Sequence, residues 1–460
     1  MSHQFDPSAL REYDIRGVVG QTLGEGDAYA LGRSFATIVR REGGRRVAVG
    51  RDGRESSLAF EGALVRGLNE SGVDAVRVGV GPTPMLYYAE AELDVDGGIQ
   101  ITGSHNPPEY NGFKMVLAHG PFFGEQIIEL GDLSAAGDWE EGSGDATDYE
   151  ILESYVERLL RDYDGGDFRI GWDAGNGAAG PAIEKLTARL PGEHHLLYTD
   201  IDSRFPNHHP DPTDEANLED LKALIRDRKL DFGFAFDGDG DRIGAVDGEG
   251  RVIWGDQLLA ILAVPVLEAL PGATIIADVK ASQALFDRIA ELGGMPCMWK
   301  TGHSLIKSKM RETDAPLAGE MSGHIFFAHE YYGFDDALYA ALRLIRAVTH
   351  MGGSLTDLRS AMPEMINTPE LRFKVDEARK FDIVEEVLAR LGIAQAEVDV
   401  TDGARVTTED GWWLLRASNT QDVLVARAEA RDRDGLARLV AQIDDQLALS
   451  GIVRGPQASH

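Results

Sequence analysis

The chain has 460 residues, of which 43% are hydrophobic and 27% charged, a composition typical of a soluble globular protein too long for one ordinary core. Its formal net charge of −32 argues against nucleic acid and anionic membranes as partners, since both bind basic faces. If the ligand is an anion, its basic contacts must be concentrated in a cleft. No apolar run could span a bilayer, no signal peptide is recognisable, and a single cysteine, Cys297, excludes an internal disulfide framework, so we expect a cytoplasmic protein.

Three segments of the chain repeat one pattern, in which an apolar strand ending in aspartate leads into a helix and then a second strand. The aspartates are Asp52, Asp173 and Asp278. Because a carboxylate at this position can bind the free N–H groups of a helix start, we interpret all three as helix caps. The repetition predicts three similar α/β domains in tandem, with ligands bound outside the carboxyl ends of their strands.

The pattern changes after about residue 363. Alternating segments at 371–375, 412–416 and 423–428 indicate strands, and 381–391 and 435–449 indicate helices. We therefore predict a smaller α+β domain at the end of the chain. The expected domains are 1–147, 148–249, 250–362 and 363–460.

A serine is displayed on a stiff loop between two apolar strands. Ser104 lies among turn-forming glycine, asparagine and proline residues, with His105 beside it and Lys114 where the next strand runs. The surrounding sequence is not Gly-x-Ser-x-Gly, and we expect adjacent Ser and His side chains to be poorly placed to share a proton. A hydrolase nucleophile is therefore not favoured.

An acidic loop follows directly on the apolar strand 232–236. Asp237, Asp239 and Asp241 alternate with glycines and can converge on a hard cation such as Mg²⁺. A calcium EF-hand fails on spacing, because Arg242 stands at its sixth position, where glycine is required. A solvated acidic turn is the simpler alternative, but three like charges so close together favour a metal site. A phosphorylated Ser104 facing this cation would account for both loops.

Two further loops carry weaker signals. Glu320 and Ser322 suit adjacent hydroxyls of a sugar, and the segment 416–420 combines an arginine, hydroxyls and an amide in a possible phosphate cradle. Ordinary polar turns explain either loop equally well when taken alone. The proline-rich segment 205–212 is interpreted as a stiff connector and not as a His-His-Asp metal site.

Taken together, these motifs resemble the α-D-phosphohexomutase family, and most closely its bacterial bifunctional phosphomannomutase/phosphoglucomutase members. They occur in the family's order over essentially the whole chain. The matching segments are 13–17, 102–114, 237–242, 278–280, 301–303, 319–324 and 416–420. One departure is Gln421-Asp422, where the family commonly has an acidic residue or threonine followed by proline.

The resemblance implies three α/β domains with mixed sheets and a fourth α+β domain of TATA-binding-protein-like topology, arranged around a central cleft. It also implies reversible conversion of hexose 1-phosphate to hexose 6-phosphate through phosphoserine and a hexose 1,6-bisphosphate. Mg²⁺ and glucose 1,6-bisphosphate are the expected cofactors, and small phosphosugars the partners. The oligomeric state stays open, with a monomer as our preference.

The resemblance also assigns site residues. Catalytic roles fall to Ser104, His105, Lys114, Arg242 and Arg16. Metal ligands are Ser104, Asp237, Asp239 and Asp241. Substrate contacts are Tyr13, Arg16, Lys280, His303, Glu320, Met321, Ser322, Gly323, His324, Arg416, Ser418, Asn419 and Thr420. Met321 favours use of both glucose and mannose phosphates; a phosphoglucosamine mutase and a non-catalytic phosphosugar-binding protein are the alternatives.

Overall fold

The computed structural model describes residues 2–161, 163–419 and 421–454, which form four sheets with helices packed against them. The first three sheets mix parallel and antiparallel strands, whereas the fourth is antiparallel throughout. The predicted fold class, three α/β units followed by an α+β unit, is confirmed. Within the described ranges, no helix is both long enough and apolar enough to cross a membrane.

The first unit contains the serine loop. Its elements are β1 (Ile15–Val18), α1 (Glu25–Arg41), β2 (Arg46–Arg51), α2 (Glu55–Glu70), β3 (Asp74–Val80), α3 (Thr83–Glu92), β4 (Gly97–Ile101), β5 (Tyr110–Leu117), β6 (Gly120–Pro121), α4 (Glu125–Ala136) and β7 (Ala146–Asp148). The strand order is β1-β5-β4-β2-β3-β7, with β6 beside β5. Because β4 and β5 are antiparallel neighbours, the loop between them lies at one end of the sheet.

The second unit contains the acidic loop. Its elements are α5 (Leu152–Leu159), β8 (Phe168–Asp173), α6 (Gly180–Thr187), β9 (Gly192–Leu197), a 3₁₀ turn (Glu215–Leu218), α7 (Glu219–Arg228), β10 (Phe232–Phe236), β11 (Ile243–Asp247) and β12 (Val252–Ile253). The strand order is β12-β11-β10-β8-β9. The central strand β10 is fully buried, and the acidic loop follows it at the carboxyl end.

The third unit contains the proposed sugar loop. Its elements are α8 (Gly255–Ala269), β13 (Thr274–Asp278), α9 (Gln283–Glu291), β14 (Met295–Trp299), α10 (His303–Thr313), β15 (Leu317–Gly319), β16 (Ile325–Phe327), α11 (Ala337–Met351) and α12 (Leu355–Ser360). The strand order is β14-β13-β15-β16. The hairpin of β15 and β16 presents residues 320–324 at its tip.

The fourth unit contains the proposed phosphate loop. Its elements are β17 (Ile366–Asn367), β18 (Leu371–Lys374), a 3₁₀ turn (Glu377–Arg379), α13 (Lys380–Ile393), β19 (Glu397–Asp399), β20 (Ala404–Thr408), β21 (Gly411–Ala417), β22 (Val423–Ala430) and α14 (Arg433–Leu449). The strand order is β17-β22-β21-β20-β19, with β18 also on β22.

The apolar core consists of several clusters. One cluster runs through the first three units and buries Tyr88, Trp172 and Leu342 together. A second, around Phe35, lies within the first unit, and a cluster around Trp413 forms the core of the fourth. The first three units therefore share part of their packing, while the fourth has its own core and contacts the third through a small buried apolar cluster.

The three strand-end aspartates do not cap helices, so that prediction was wrong. The N-cap of α2 is Arg54 and that of α6 is Ala179, and neither makes a side-chain cap hydrogen bond; the helix start of α9 is capped by Ser282. The aspartates bind loops instead: Asp173 accepts from the Gly175 amide at 2.9 Å and Asp278 from the Met321 amide at 3.2 Å. Asp173 thus fixes the loop that follows its own strand, whereas Asp278 binds the tip of the β15–β16 hairpin.

Candidate active site where the four units meet

Ser104 has an unusual backbone for a residue with a side chain. It follows β4 with φ of +49°, in the left-handed region, and its side chain is buried. Its Oγ donates to Asp237 Oδ2 at 2.8 Å and lies 3.1 Å from His105 Nδ1. The second contact overturns our expectation that these two side chains would be poorly placed. Neighbouring side chains diverge in an extended strand, but the left-handed turn at Ser104 allows them to approach.

The acidic loop places its three aspartates in one buried group. Asp237, Asp239 and Asp241 each offer a carboxylate oxygen, and these atoms all lie within 4.8 Å of one another. Within the described part of the chain, Oδ1 of Asp239 is buried with no hydrogen-bond partner, and Oδ1 of Asp241 has only the long contact of 3.4 Å to His324 Nε2. Buried carboxylate oxygens are costly when unpaired, and like charges so close repel. The donor set, all hard oxygen atoms, fits a divalent cation such as Mg²⁺.

Lys114 is the cation that balances this group in the structure. Its Nζ donates to Asp239 Oδ2 at 2.7 Å and also to Asp241 Oδ2. Burial lowers the pKa of Lys114, but these carboxylates outweigh it and hold the pKa above its ordinary value. Burial and the neighbouring aspartates raise the pKa of Asp237. Lys114 is therefore a buried, charged side chain that bridges two of the three aspartates.

The first two units are locked together at this point. A Cβ on Gly238 would lie 2.3 Å from the carbonyl oxygen of Ser104, so the two loops touch backbone to backbone. Thr83, at the start of α3, donates through Oγ1 to Asp239 Oδ2 at 2.5 Å and through its amide to the Asp239 carbonyl at 2.8 Å. Sequence reasoning missed Thr83, because a threonine at a helix start carries no distinctive signal.

The sugar loop adds a histidine to the acidic group. His324 Nδ1 lies 2.9 Å from Glu320 Oε2 and 3.0 Å from Ser322 Oγ, while its Nε2 lies 3.4 Å from Asp241 Oδ1. Burial opposes its charging, but the carboxylates of Asp241 and Glu320 raise the pKa of His324 to about 9. The loop is held closely, since a Cβ on Gly323, with φ of +88°, would lie 2.5 Å from a carbonyl oxygen of β11.

Two more basic groups flank the serine. The Arg242 amide donates to Asp237 Oδ1 at 3.2 Å, and its Nε lies 3.3 Å from His324 Nε2. Arg16 donates through Nη2 to Asp14 at 2.5 Å and through Nη1 to Asn106 on the serine loop. Burial, with the charges of Arg242 and Arg16, holds the pKa of His105 well below its usual range.

His303 begins α10 beside the same cleft. Its ring centroid lies 6.0 Å from that of Tyr13 and 5.7 Å from that of His324. Burial and the nearby Lys307 hold the pKa of His303 well below its usual range. Behind it, Lys307 Nζ donates to Asp335 Oδ1 at 2.9 Å. Lys307 and Asp335 were not predicted.

The N-terminal segment joins the third and fourth units. Tyr13 donates to the Thr301 carbonyl at 2.9 Å and accepts from Asn419 Nδ2 at 2.6 Å. In the fourth unit, Arg416 Nε donates to Asp402 Oδ2 at 2.8 Å, and the same oxygen accepts from the Thr301 amide at 3.0 Å. The Gly302 amide in turn donates to Glu320 Oε1 at 2.7 Å, so residues 301–302 connect the predicted sugar loop to the fourth unit.

The remaining predicted residues lie along this junction. Lys280 Nζ is 3.7 Å from Asp278 Oδ2 and 3.5 Å from Glu370 Oε2 in the fourth unit. Met321 is half-buried at the tip of the sugar loop. Ser418 Oγ accepts from the Gln421 amide at 3.1 Å. Gln421 and Asp422 are the two residues at which the sequence departs from the family pattern. Thr420 lies outside the described residues.

Comparison with known proteins agrees with this arrangement. Four family models match the chain in order: phosphoglucomutase/phosphomannomutase alpha/beta/alpha domain I at residues 8–130, domain II at 153–250, domain III at 254–365 and the C-terminal domain at 370–446. Together they cover most of its length.

Full-length relatives show the same similarity. A phosphomannomutase/phosphoglucomutase of Pseudomonas aeruginosa is 43% identical over 441 residues, covering 96% of this chain and 95% of that protein. A phosphoglucomutase of Neisseria gonorrhoeae is 41% identical and covers 94% of each. The crystal structure of a phosphoglucomutase/phosphomannomutase family protein from Burkholderia thailandensis matches with a TM-score of 0.92 and 43% identity, over 97% of this chain and 98% of that one. The chain belongs to the phosphoglucomutase/phosphomannomutase family.

Proposed function

We propose that the protein interconverts hexose 1-phosphates and hexose 6-phosphates of glucose and mannose, through phospho-Ser104 and a hexose 1,6-bisphosphate. The observation that carries the proposal is the 2.8 Å contact between Ser104 Oγ and Asp237 Oδ2, which puts the serine on the edge of a buried carboxylate group. The relatives named phosphomannomutase/phosphoglucomutase support the substrate class.

In this proposal Asp237, Asp239, Asp241 and a phosphoryl oxygen on Ser104 hold Mg²⁺. The ion, when bound, neutralises charge on the phosphoryl group. The phosphoryl group leaves Ser104 Oγ as its bond to a sugar hydroxyl forms, and the bisphosphate then returns its other phosphoryl group to Ser104. Because Lys114 is charged and lies against two of these aspartates, its ammonium supports the transferring group electrostatically, as do the guanidinium groups of Arg16 and Arg242.

Proton handling falls to a titratable group within hydrogen-bond distance of Ser104. His105 fits this role, because its Nδ1 lies 3.1 Å from Ser104 Oγ. Such a base takes the proton of the attacking hydroxyl and returns it when the serine oxygen is the leaving group. His324, whose pKa is raised to about 9, is better suited to donate.

We assign the rest of the cleft to the sugar phosphate. Glu320, Met321, Ser322, Gly323 and His324 face the sugar hydroxyls. The far phosphate is bound by basic and polar side chains around the junction with the fourth unit, namely Tyr13, Lys280, His303, Arg416, Ser418 and Asn419. Thr420, which the sequence also assigns to this phosphate, lies outside the described residues. Glucose 1,6-bisphosphate is the expected activator.

The direct test is intact mass with peptide mapping, followed by turnover assays. Purified protein incubated with glucose 1,6-bisphosphate should gain one phosphate on Ser104, and with Mg²⁺ it should convert glucose 1-phosphate and mannose 1-phosphate. Ser104→Ala should abolish the phosphate and nearly all turnover. Ser418→Ala is a matched control, because it also loses a loop hydroxyl but should keep the phosphoserine.

Two results would redirect the proposal. A strong preference for glucosamine 1-phosphate would make the protein a phosphoglucosamine mutase. Tight binding of phosphosugars without phosphorylation of Ser104 or turnover would make it a binding protein.

A further inference from the structure

A buried guanidinium fills the inside of the serine loop. The Arg54 side chain is 2% exposed and uses all five of its N–H groups. One bond goes to Asp52 Oδ2 at 3.2 Å. The other four reach backbone carbonyls of the loop, at Ser104 (2.9 Å), Asn106 (2.6 Å), Pro107 (2.7 Å) and Tyr110 (2.9 Å). A single side chain thus binds the loop along its whole course from the serine to the start of β5.

Asp52 completes this arrangement from the neighbouring strand. Its Oδ2 accepts from the Gly103 amide at 3.0 Å, and its Oδ1 accepts from the Arg54 amide at 3.0 Å and from Ser57 Oγ at 2.6 Å. A Cβ on Gly103 would lie 2.4 Å from Arg54 Cζ, so the backbone before the serine touches the guanidinium. The serine is therefore held through its own carbonyl and through the amide of the residue before it.

The loop needs such restraint because Ser104 is strained. A non-glycine residue in the left-handed region costs about 1–3 kcal/mol and persists only where its surroundings impose it. Free of these bonds, Ser104 would return to negative φ, and its Oγ would leave the position 2.8 Å from Asp237.

The second unit closes over the same guanidinium. The ring of Phe205 lies 5.4 Å from Arg54 Cζ, at the start of the proline-rich segment 205–212. The aromatic ring and the five hydrogen bonds together hold the guanidinium in place. The contact also ties the unit that carries the acidic loop to the restraint on the serine.

We propose that Arg54 is a positioning residue for phosphoryl transfer, which fixes Ser104 Oγ against the acidic group without touching substrate. This inference rests on the function proposed above. Lysine in its place has one charged centre and three N–H groups, and cannot span four carbonyls. Since a misplacement of about 1 Å in a reacting group costs about 100-fold in rate, Arg54→Lys should lower kcat roughly 30- to 300-fold. KM should change less than about threefold, because the substrate contacts stay.

The experiment compares wild type, Arg54→Lys and Arg33→Lys in the full-length protein. Arg33 is the matched control: it is also buried in the first unit, but donates to Ser71 Oγ at 2.7 Å and Glu141 Oε1 at 2.8 Å, away from the serine loop. The readouts are kcat and KM with glucose 1-phosphate, the rate at which glucose 1,6-bisphosphate phosphorylates Ser104, measured by intact mass, and the melting temperature.

A positioning role predicts that Arg54→Lys loses kcat and phosphorylation rate together, while Arg33→Lys loses melting temperature but keeps kcat within about threefold. Equal kcat in Arg54→Lys and Arg33→Lys would overturn the inference. An inactive, unphosphorylated wild type would instead overturn the proposed function. If Arg54→Lys does not fold, Phe205→Leu replaces it: a kcat lowered at least threefold at unchanged KM supports the inference, and wild-type kcat refutes it.

Discussion

Lys114 places its ammonium against the acidic group, where it offsets carboxylate charge when no metal is bound. It is the buried ammonium that contacts both Asp239 and Asp241, so the Lys114→Gln variant isolates its electrostatic role. We expect two opposite effects. The metal-free protein should become less stable, and its affinity for a divalent cation should increase.

The magnitudes follow from burial and distance. Breaking a buried ion pair by removing one partner costs about 3–5 kcal/mol, because the remaining charge is left uncompensated. For the metal, two unit charges about 5 Å apart at an effective dielectric of about 20 interact by about 3 kcal/mol, and a divalent ion feels more. Since the lysine can swing partly away when the ion binds, we expect Mg²⁺ to bind roughly 10- to 100-fold more tightly to Lys114→Gln.

Calorimetric titration with Mg²⁺ and thermal melts with and without the ion measure both effects on the dephosphorylated protein. Lys307→Gln is the matched control, because Lys307 is also a buried lysine but contacts a single aspartate, with 2.9 Å between Lys307 Nζ and Asp335 Oδ1. Without metal, both variants should have lower melting temperatures than wild type. Only in Lys114→Gln should Mg²⁺ raise the melting temperature by more than it does in wild type. Unchanged Mg²⁺ affinity in Lys114→Gln would refute the view that lysine and metal compete for one site.

Two further predictions test other parts of the molecule. Arg416→Ala should raise KM for hexose phosphates about 30-fold or more, since a charge-assisted contact is worth about 2–3 kcal/mol, while Ser104 should still be phosphorylated. Steady-state kinetics measures KM and intact mass measures the phosphorylation; an unchanged KM would contradict the prediction. Burial raises the pKa of Asp336 to about 6, so its stabilising contribution is present below about pH 4 and lost as the pH rises through 6. The melting temperature of wild type relative to Asp336→Asn should therefore fall by several degrees between about pH 4.5 and 7.5, and a constant difference would contradict the assignment.

The sequence predicted the elements whose hydrophobic pattern is periodic. The helix expected at 435–449 is α14 (Arg433–Leu449), and the apolar strand 232–236 coincides with β10. Helix α8 (Gly255–Ala269) gave no such signal, because ten of its residues are buried around the whole circumference and Pro265 interrupts it. A periodic hydrophobic pattern arises when a helix buries one face, and a helix with buried residues around its circumference lacks that pattern.

The site residues also divide into those that the local sequence predicts and those that only the fold brings together. Ser104 and the three aspartates could be predicted because short motifs place their chemistry within a few residues. Arg54 and Thr83 could not, since each acts on a loop 50 or 156 positions away in the chain. The wrong prediction for Asp52 has the same origin: local rules favour a helix cap, but the Gly103 amide, brought close by the fold, is the partner that the carboxylate binds.

The distribution of charge bears on how a bisphosphate could turn round in the cleft. Despite a net charge of −32, several basic side chains line the site, and four of them are already paired on one side with a carboxylate. Arg16 contacts Asp14, Lys114 contacts Asp239, Lys280 contacts Asp278 and Arg416 contacts Asp402. A cation shared in this way still offers N–H groups to a phosphate but attracts it less strongly than an unpaired one. An intermediate that must release both phosphates and rebind them in exchanged positions is best served by such contacts, since four unpaired cations would hold it in its first orientation.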